Sequence, residues 1–356
     1  MKRKCNKTEI EWKNQIIVRI ACFLLILGLI GTLVNGTAFL SLAGNVQGQV
    51  TLQNPKIVKN ENMEAGQKVT WDCIWFGSYP QAEVVSSGEY EAVKKEYLED
   101  GDVIVDDNLY AVLQSASGWD EKRDIIYNGE KYRRMKKENA ISDHDGMTNW
   151  SGNYYWKNNT TYHYFKYEPV KWRVLNISDG KALLLSDKVI DDCWFYDYEI
   201  ENYSWEKSTI RSFLNGYDIP EERKKTNSSN RESFINSAFD SDSYLSIIDT
   251  TNVPSNLLDE DSFDNRNSTI DKIFLLSDAE VYGTEQAAMY GFNIKDENDE
   301  AKQCKSTTYA KAMGMWWDVS TLYKGNCWWW LRYPPHLSDY TMDICESGAL
   351  NDLHVL

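Results

Sequence analysis

The chain has 356 residues, of which 42% are hydrophobic and 26% charged, and its formal net charge is −16. A chain of this composition buries a sizeable core, which excludes wholesale disorder, and its 20 glycines and 7 prolines exclude a collagen-like or proline-rich filament. The acidic balance excludes a sequence-independent nucleic-acid binder, because contacts to phosphates need clustered Lys and Arg.

The N-terminal segment predicts export. Residues 1–19 hold six basic residues against two acidic ones, and no charge occurs in residues 20–55. The apolar run Ile20–Val34 would span about 22 Å as a helix, which is shorter than the ~30 Å of a bilayer core. A short apolar run that ends near the small-x-small sequence Ser41-Leu42-Ala43 is typical of a signal peptide over residues 1–43, and a membrane anchor is the alternative. Either way, the chain is secreted or anchored outside the cytoplasmic membrane, with membrane contact only through residues 20–43.

A polar linker over residues 44–68 is expected to lead into one domain over residues 69–356. The alternating strand from Val69 is predicted to end in a turn at Gly77-Ser78-Tyr79-Pro80. An insertion at about residues 84–166 follows. It is expected to hold a short helix over Glu89–Leu98 and strands over Val103–Val105 and Tyr110–Leu113.

The second half alternates strands and helices. Glu168–Leu175 and Lys181–Ser186 predict a hairpin around Asp179-Gly180. Two helices are predicted next, one after Ser204 that stops at Asn215-Gly216, and one capped by Asn230. A buried strand over Ile270–Leu276 should then run into a capping box at Ser277–Glu280. Strands at both ends with helices between them indicate an α+β class.

Several segments together carry a family resemblance. They occur in the order FGSYPQ, EPVKWRVL, ALLLSD, SWEKSTIRSFLN, DKIFLLSDAE and WWLR. The series over residues 69–356 resembles a domain-of-unknown-function family in exported proteins of Gram-positive gut bacteria. That family is similar in fold to C-type lectin-like and formylglycine-generating-enzyme-like domains. The resemblance implies a C-type lectin-like mixed fold with two flanking helices and long irregular loops that display a ligand surface.

The end of the chain departs from the family pattern. Family members continue after a glycine such as Gly348 into a last strand that ends in Arg-Pro, whereas this chain ends in GALNDLHVL. The difference raises the alternative that the last strand of the fold is missing, which would expose a sheet edge.

Reactive side chains point to no established chemistry. The five cysteines that follow the leader contain no C-x-x-C; they allow one or two disulfides, and burial as small hydrophobic residues is the alternative. The histidines have no metal-ligand spacing, so neither a metal nor a cofactor is expected. The alternative function is a formylglycine-generating-like exported enzyme that uses a cysteine or a metal, with Cys327 and Cys345 as the local pair and His336 and Arg332 as neighbouring groups.

Aromatic residues near the C-terminus favour binding instead. In a strand, Trp328 and Trp330 would face one way and Trp329 and Leu331 the other, so about half of these side chains should be core. The candidate ligand-binding residues on the loops at about 314–343 are Trp316, Trp317, Asp318, Arg332 and Tyr333. Arg332 is either a cation for a ligand or a core ion-pair partner. We therefore predict an exported, non-catalytic domain that binds a glycan or a surface protein at the cell surface through these loops.

Overall fold

A computed structural model describes most of the chain after residue 50. The described residues are 51–58, 68–93, 102–141, 154–197, 204–219, 231–255, 267–293, 298–320, 322–332 and 340–354, together with the backbone of four short strands between residues 25 and 38. The strands are β1 Leu25–Ile26, β2 Gly28–Leu29, β3 Leu33–Val34, β4 Thr37–Ala38, β5 Lys56–Val58, β6 Lys68–Thr70, β7 Cys73–Val85, β8 Val103–Val105, β9 Asp124–Tyr127, β10 Glu130–Met135, β11 His163–Ser178, β12 Lys181–Ser186, β13 Ile247–Ile248, β14 Thr250–Asn252, β15 Thr269–Asp271, β16 Phe274–Leu275, β17 Cys304–Lys305, β18 Asn326–Cys327, β19 Trp329–Trp330, β20 Tyr340–Ile344 and β21 Leu350–His354. The α-helices are α1 Ser87–Val93, α2 Asp107–Ser115, α3 Thr209–Asn215, α4 Phe234–Ala238, α5 Ser241–Leu245, α6 Asp278–Val281, α7 Glu285–Met289 and α8 Thr308–Met313.

The central sheet is built around the long strand β11. Its neighbours are β7 on one side and β10 and β12 on the other, and β8 and β9 extend the sheet at its edges. The predicted hairpin is confirmed, because β11 pairs antiparallel with β12 from Ser178 and Lys181 onward. Asp179 and Gly180 both have positive φ angles, 50° and 72°, as a two-residue hairpin turn of type I′ requires.

The turn predicted at Gly77 does not form. Strand β7 continues through it, and the register against β11 shifts between Pro169 and Lys171, whose partners are Ser78 and Trp75. Gly77 adopts a left-handed conformation with φ +65°, and a Cβ there would lie 2.4 Å from a ring carbon of Phe239. The glycine therefore forms an irregularity that brings the strand against a helix terminus, instead of ending the strand.

The predicted insertion belongs largely to the sheet. Strand β8 forms as predicted and pairs parallel with β7, and the hairpin β9–β10 adds to β11. The predicted strand over Tyr110–Leu113 is wrong, because this segment lies in helix α2. The Asp106 side chain caps that helix by accepting a hydrogen bond from the Leu109 amide at 2.9 Å. The predicted helix at Glu89–Leu98 is observed as α1, and its residues after Val93 lie outside the described part of the chain.

Both helices predicted in the second half are present. Helix α3 begins at an N-cap formed by Ser208 and ends at Gly216, which is left-handed with φ 73°. Helix α4 has Ser233 at its N-cap, whereas the predicted cap, Asn230, lies outside the described residues. The capping box of Ser277 and Glu280 at α6 is confirmed. The single strand predicted before it is divided into β15 and β16.

The C-terminal residues after Gly348 form a strand, where the resemblance had raised the alternative of a missing one. Strand β21 pairs antiparallel with β20 over five residue pairs, and β20 pairs with β19. The alternation predicted for the tryptophan run is also present, since Trp329 and Leu331 are buried while Trp328 and Trp330 are partly exposed.

One large hydrophobic core joins these elements. Trp172 is fully buried at its centre and donates an indole hydrogen bond to the Phe76 carbonyl at 3.0 Å. A smaller cluster around Leu113 lies under helix α2. Part of the predicted linker is ordered, because β5 pairs with β6 and Leu52 packs against the core. The α+β class is confirmed.

The apolar N-terminal segment contributes two-residue strands. Strand β1 pairs with β16 and β2 pairs with β13. Among the described residues, no helix has both the length and the apolarity needed to cross a membrane. The signal peptide or anchor stays a prediction.

Candidate functional site

A cavity with a volume of about 740 Å³ lies beside Arg332. We call it the Arg332 groove. Its walls come from the β11–β12 turn region, the segment 248–255, the first turn of α6, helix α7 and Arg332 itself. Most of these walls are regular elements packed on the core, so the cavity is formed by the fold itself.

Arg332 is held rigidly at the wall of this groove. It is only 7% exposed, and its Nε donates to the Leu275 carbonyl at 3.1 Å. Its Nη1 donates to the Val253 carbonyl at 2.9 Å, and its Nη2 donates to Glu280 Oε2 at 3.1 Å. The two interpretations left open for Arg332 thus coincide, because the residue makes a buried ion pair and also lines a cavity.

Glu280 connects Arg332 to the start of helix α6. The same Oε2 atom accepts the Ser277 amide at 2.7 Å, which is one half of the capping box. A capping box fixes both the side chain and the first helical turn, so the carboxylate has a set position at the groove wall.

Tyr290 supplies a hydroxyl group at the groove. Burial, followed by the charge of Glu280, raises the pKa of Tyr290 above its ordinary value, so the phenol stays protonated at neutral pH. Its oxygen accepts a hydrogen bond from the Gln286 amide at 2.7 Å, which leaves the phenolic hydrogen to be donated.

The charges around the groove balance. Two cations, Lys181 and Arg332, and two carboxylates, Asp249 and Glu280, line it, and its other polar groups are amides and hydroxyls. A lining with no net charge favours an uncharged polar ligand over an anion or a metal ion.

The structure separates the predicted aromatic residues. Trp316 is partly exposed and stacks on Trp328, with ring centroids 4.5 Å apart and planes inclined by 30°. Trp317, expected on the surface, is only 3% exposed, and its ring lies 5.2 Å from the Lys311 ammonium. Its backbone also bridges to Cys327. The prediction of an exposed Trp317 is wrong, because this pairing draws the residue into the core.

Asp318 has a local structural role. It is 4% exposed, and its carboxylate accepts the Ser320 amide at 2.5 Å and the Ser320 hydroxyl at 2.6 Å. These bonds close a turn. Tyr333 lies outside the described residues. The predicted site residues therefore fall in at least two places, with Arg332 at the groove and Trp316 at a separate aromatic pair.

The cysteine chemistry of the alternative function has little geometric support. Cys327 is completely buried, and burial raises the pKa of its thiol, which lowers the thiolate fraction at neutral pH. Arg332 is committed to the contacts described above, and His336 lies outside the described residues. In the part of the chain that the structure describes, no three His, Cys, Asp or Glu side chains are grouped so as to hold a metal ion.

A second cavity of about 340 Å³ lies beside Trp75 and Glu168. Burial, followed by the charge of Asp102, raises the pKa of Glu168. Neighbouring acids and bases are paired, with Lys171 and Asp187 3.0 Å apart and Lys188 bound to Asp102. Apart from Arg332, sequence patterns did not point to the residues of either cavity, because these come from distant segments and share no motif.

Comparisons with known proteins bear on the second half of the chain. No curated protein and no solved structure is significantly similar to it. Residues 179–353 match the model of a family described as a domain of unknown function, DUF6273, so the part of the chain that supplies most of the Arg332 groove carries a DUF6273 domain.

Proposed function

We propose that this protein is an exported, non-catalytic domain that binds a glycan in the Arg332 groove. The observation that carries the proposal is the groove itself, a cavity of about 740 Å³ with balanced charge and fixed polar groups. Sugars present many hydroxyl groups and no net charge, and they are bound by amide, hydroxyl and charged side chains held in place before binding.

Tyr290 gives the proposal a specific contact. Its protonated hydroxyl can donate to a sugar oxygen, and Lys181 and Asn176 line the same groove. Among the described residues, neither the Lys181 nor the Asn176 side chain makes a hydrogen bond or an ion pair, so both can donate to a ligand without giving up such an interaction there.

The partly exposed pair of Trp316 and Trp328 is the competing surface for the same function. An indole face can stack on a sugar ring or pack against another protein. The Trp328 indole is fixed by a hydrogen bond of 2.5 Å to Glu346, so the pair is preformed. This surface contains Trp316, which was named as a candidate from the sequence, but the groove can surround a ligand on several sides.

The experiment is a glycan array probed with the purified full chain, followed by calorimetric titration with the best oligosaccharide. Tyr290→Phe removes only the hydroxyl group, and we expect it to weaken binding about five- to tenfold; because the hydroxyl also accepts the Gln286 hydrogen bond, the variant should lose about 0.5–1.5 kcal/mol of stability and still fold. Tyr155→Phe is the matched control, since Tyr155 is 46% exposed and does not line the groove.

A second pair of variants separates the two surfaces. Lys181→Met should weaken binding, and Trp316→Ala should leave it unchanged. The opposite pattern, with binding lost in Trp316→Ala and kept in both groove variants, would move the site to the aromatic pair and refute the groove assignment.

A further inference from the structure

We propose that Cys304 and Cys327 form a disulfide bond when the chain folds in an oxidising compartment. The inference concerns a covalent modification and does not depend on which ligand the protein binds. It rests on the pairing of two short strands in the second half of the chain.

The two cysteines are direct cross-strand partners. Strands β17 and β18 pair antiparallel, with Cys304 opposite Cys327 and Lys305 opposite Asn326. Directly opposed residues of an antiparallel pair have Cα atoms about 4.5 or 5.5 Å apart, depending on the hydrogen-bonding class. Both separations lie within the range of about 4.4–6.8 Å that a disulfide spans, so the Cα separation of this pair is compatible with the bond.

The two cysteines lie close together in the core. Cys327 Sγ lies 3.3 Å from the Cys304 carbonyl, and both residues are completely buried. The two other cysteines found free in the described chain have different surroundings. Cys345 Sγ lies 3.2 Å from the Ser347 hydroxyl, and Cys193 is buried beside the Trp194 carbonyl.

The covalent step is an ordinary thiol–disulfide exchange. One thiolate attacks a disulfide of an oxidant, which is a thiol–disulfide oxidoreductase or a small disulfide such as oxidised glutathione, and forms a mixed disulfide. The thiolate of the second cysteine then attacks the sulfur of the first cysteine and expels the remaining oxidant thiol. The pair loses two electrons and two protons, and the oxidant gains them as two thiols.

The burial of the two cysteines determines when the disulfide can form. A completely buried thiol is closed to an oxidant, and burial also raises the pKa of Cys327, so exchange is slow in the folded state. The bond should form while the chain folds. Once formed, it closes a loop that contains helix α8 and Trp316, so it holds the base of the partly exposed aromatic pair.

The test uses the full chain refolded with oxidised and reduced glutathione. Free thiols are then blocked with N-ethylmaleimide in denaturant. The chain is digested with trypsin, and the masses of the peptides are measured by mass spectrometry. Cleavage after lysine and arginine leaves the two cysteines on the short peptides Gln303–Lys305 and Gly325–Arg332. We expect these peptides to be linked, two hydrogen atoms lighter than their sum, and separated by reductant.

Controls connect the bond to the structure. Cys345 should carry the blocking group in the same sample. Reductant should lower the melting temperature of the wild-type chain by roughly 5–10 °C more than it lowers that of Cys304→Ser/Cys327→Ser, since Cys73 is disulfide-bonded and reductant acts on that bond in both proteins. The proposal is overturned if both peptides carry the blocking group after oxidative refolding, or if Cys327 is linked to a different cysteine.

Discussion

Gly77 offers a sharp test of how the central sheet meets helix α4. In Gly77→Ala, the new Cβ would lie 2.4 Å from Phe239 Cε1 and 2.9 Å from the Ala238 carbonyl oxygen. Contacts below 3.0 Å do not occur for real Cβ atoms, so the helix terminus or the strand must move. Overpacking of this kind costs about 1–3 kcal/mol. The left-handed φ of +65° adds about 1–2 kcal/mol for any residue with a Cβ.

The expected loss in the free energy of unfolding is therefore about 2–5 kcal/mol, measured by urea unfolding. Two glycines separate the contributions. Gly118→Ala shares the positive φ, +93°, but has no atom within 4 Å of the new Cβ, so it should lose only about 1–2 kcal/mol. Gly88→Ala lies in helix α1 with open space and should gain about 0.5–1 kcal/mol.

A double variant tests the contact directly. In Gly77→Ala/Phe239→Leu the ring atom that the Cβ would strike is gone, so the added cost of the alanine should shrink by about 1 kcal/mol or more. Equal costs for Gly77→Ala in both backgrounds, or a cost no larger than that of Gly118→Ala, would refute the steric reasoning.

Two further predictions concern carboxylates whose pKa is shifted in the folded chain. Burial and the neighbouring charge of Asp191 raise the pKa of Asp192 to about 7, so its ionised form is penalised in the folded state. Asp192→Asn should therefore raise the free energy of unfolding at pH 8 by up to about 4 kcal/mol, and this gain should vanish below about pH 4; a gain independent of pH would contradict the assignment. Burial raises the pKa of Asp124, but its ion pairs with Arg133 at 2.7 Å and Lys131 at 2.9 Å hold it below the usual value. Asp124→Asn should lower the free energy of unfolding by about 3–5 kcal/mol at pH 7, and by less as the pH falls through that lowered pKa. Lys131→Met removes a partner that is 38% exposed and should cost under about 1 kcal/mol. Equal losses for the two variants in urea unfolding would show that the buried Asp124–Arg133 pair is not the source of the stability.

Local patterns predicted the elements whose signals lie within a few residues. The hairpin at Asp179-Gly180 and the capping box at Ser277 are both set by short-range geometry, and both are present. The turn predicted at Gly77 was wrong because a glycine in a sequence can end a strand or allow close packing. Which of the two applies here depends on Phe239, which is distant in sequence. The segment Tyr110–Leu113 was predicted as a strand, whereas it lies in a helix that the Asp106 side chain caps.

The candidate site was less predictable than the fold. Arg332 was named because of its charge beside aromatic residues, and it does line a cavity. Trp317 was placed on the surface because of its neighbours in sequence, whereas backbone pairing with Cys327 buries it. Tyr290, Lys181 and Asn176 meet at the groove only through tertiary structure, so no spacing rule could have selected them.

The place where the family match begins has a practical consequence. It starts at residue 179, in the tight turn of the β11–β12 hairpin, so a fragment dissected at that boundary keeps β12 and discards β11. Without β11, strand β12 would expose unpaired backbone amides and carbonyls along the edge that pairs with β11. It would also expose Leu184 and Leu185, which are completely buried in the intact chain. Such a truncated protein should self-associate instead of folding alone, and work on this domain is better begun upstream of β7.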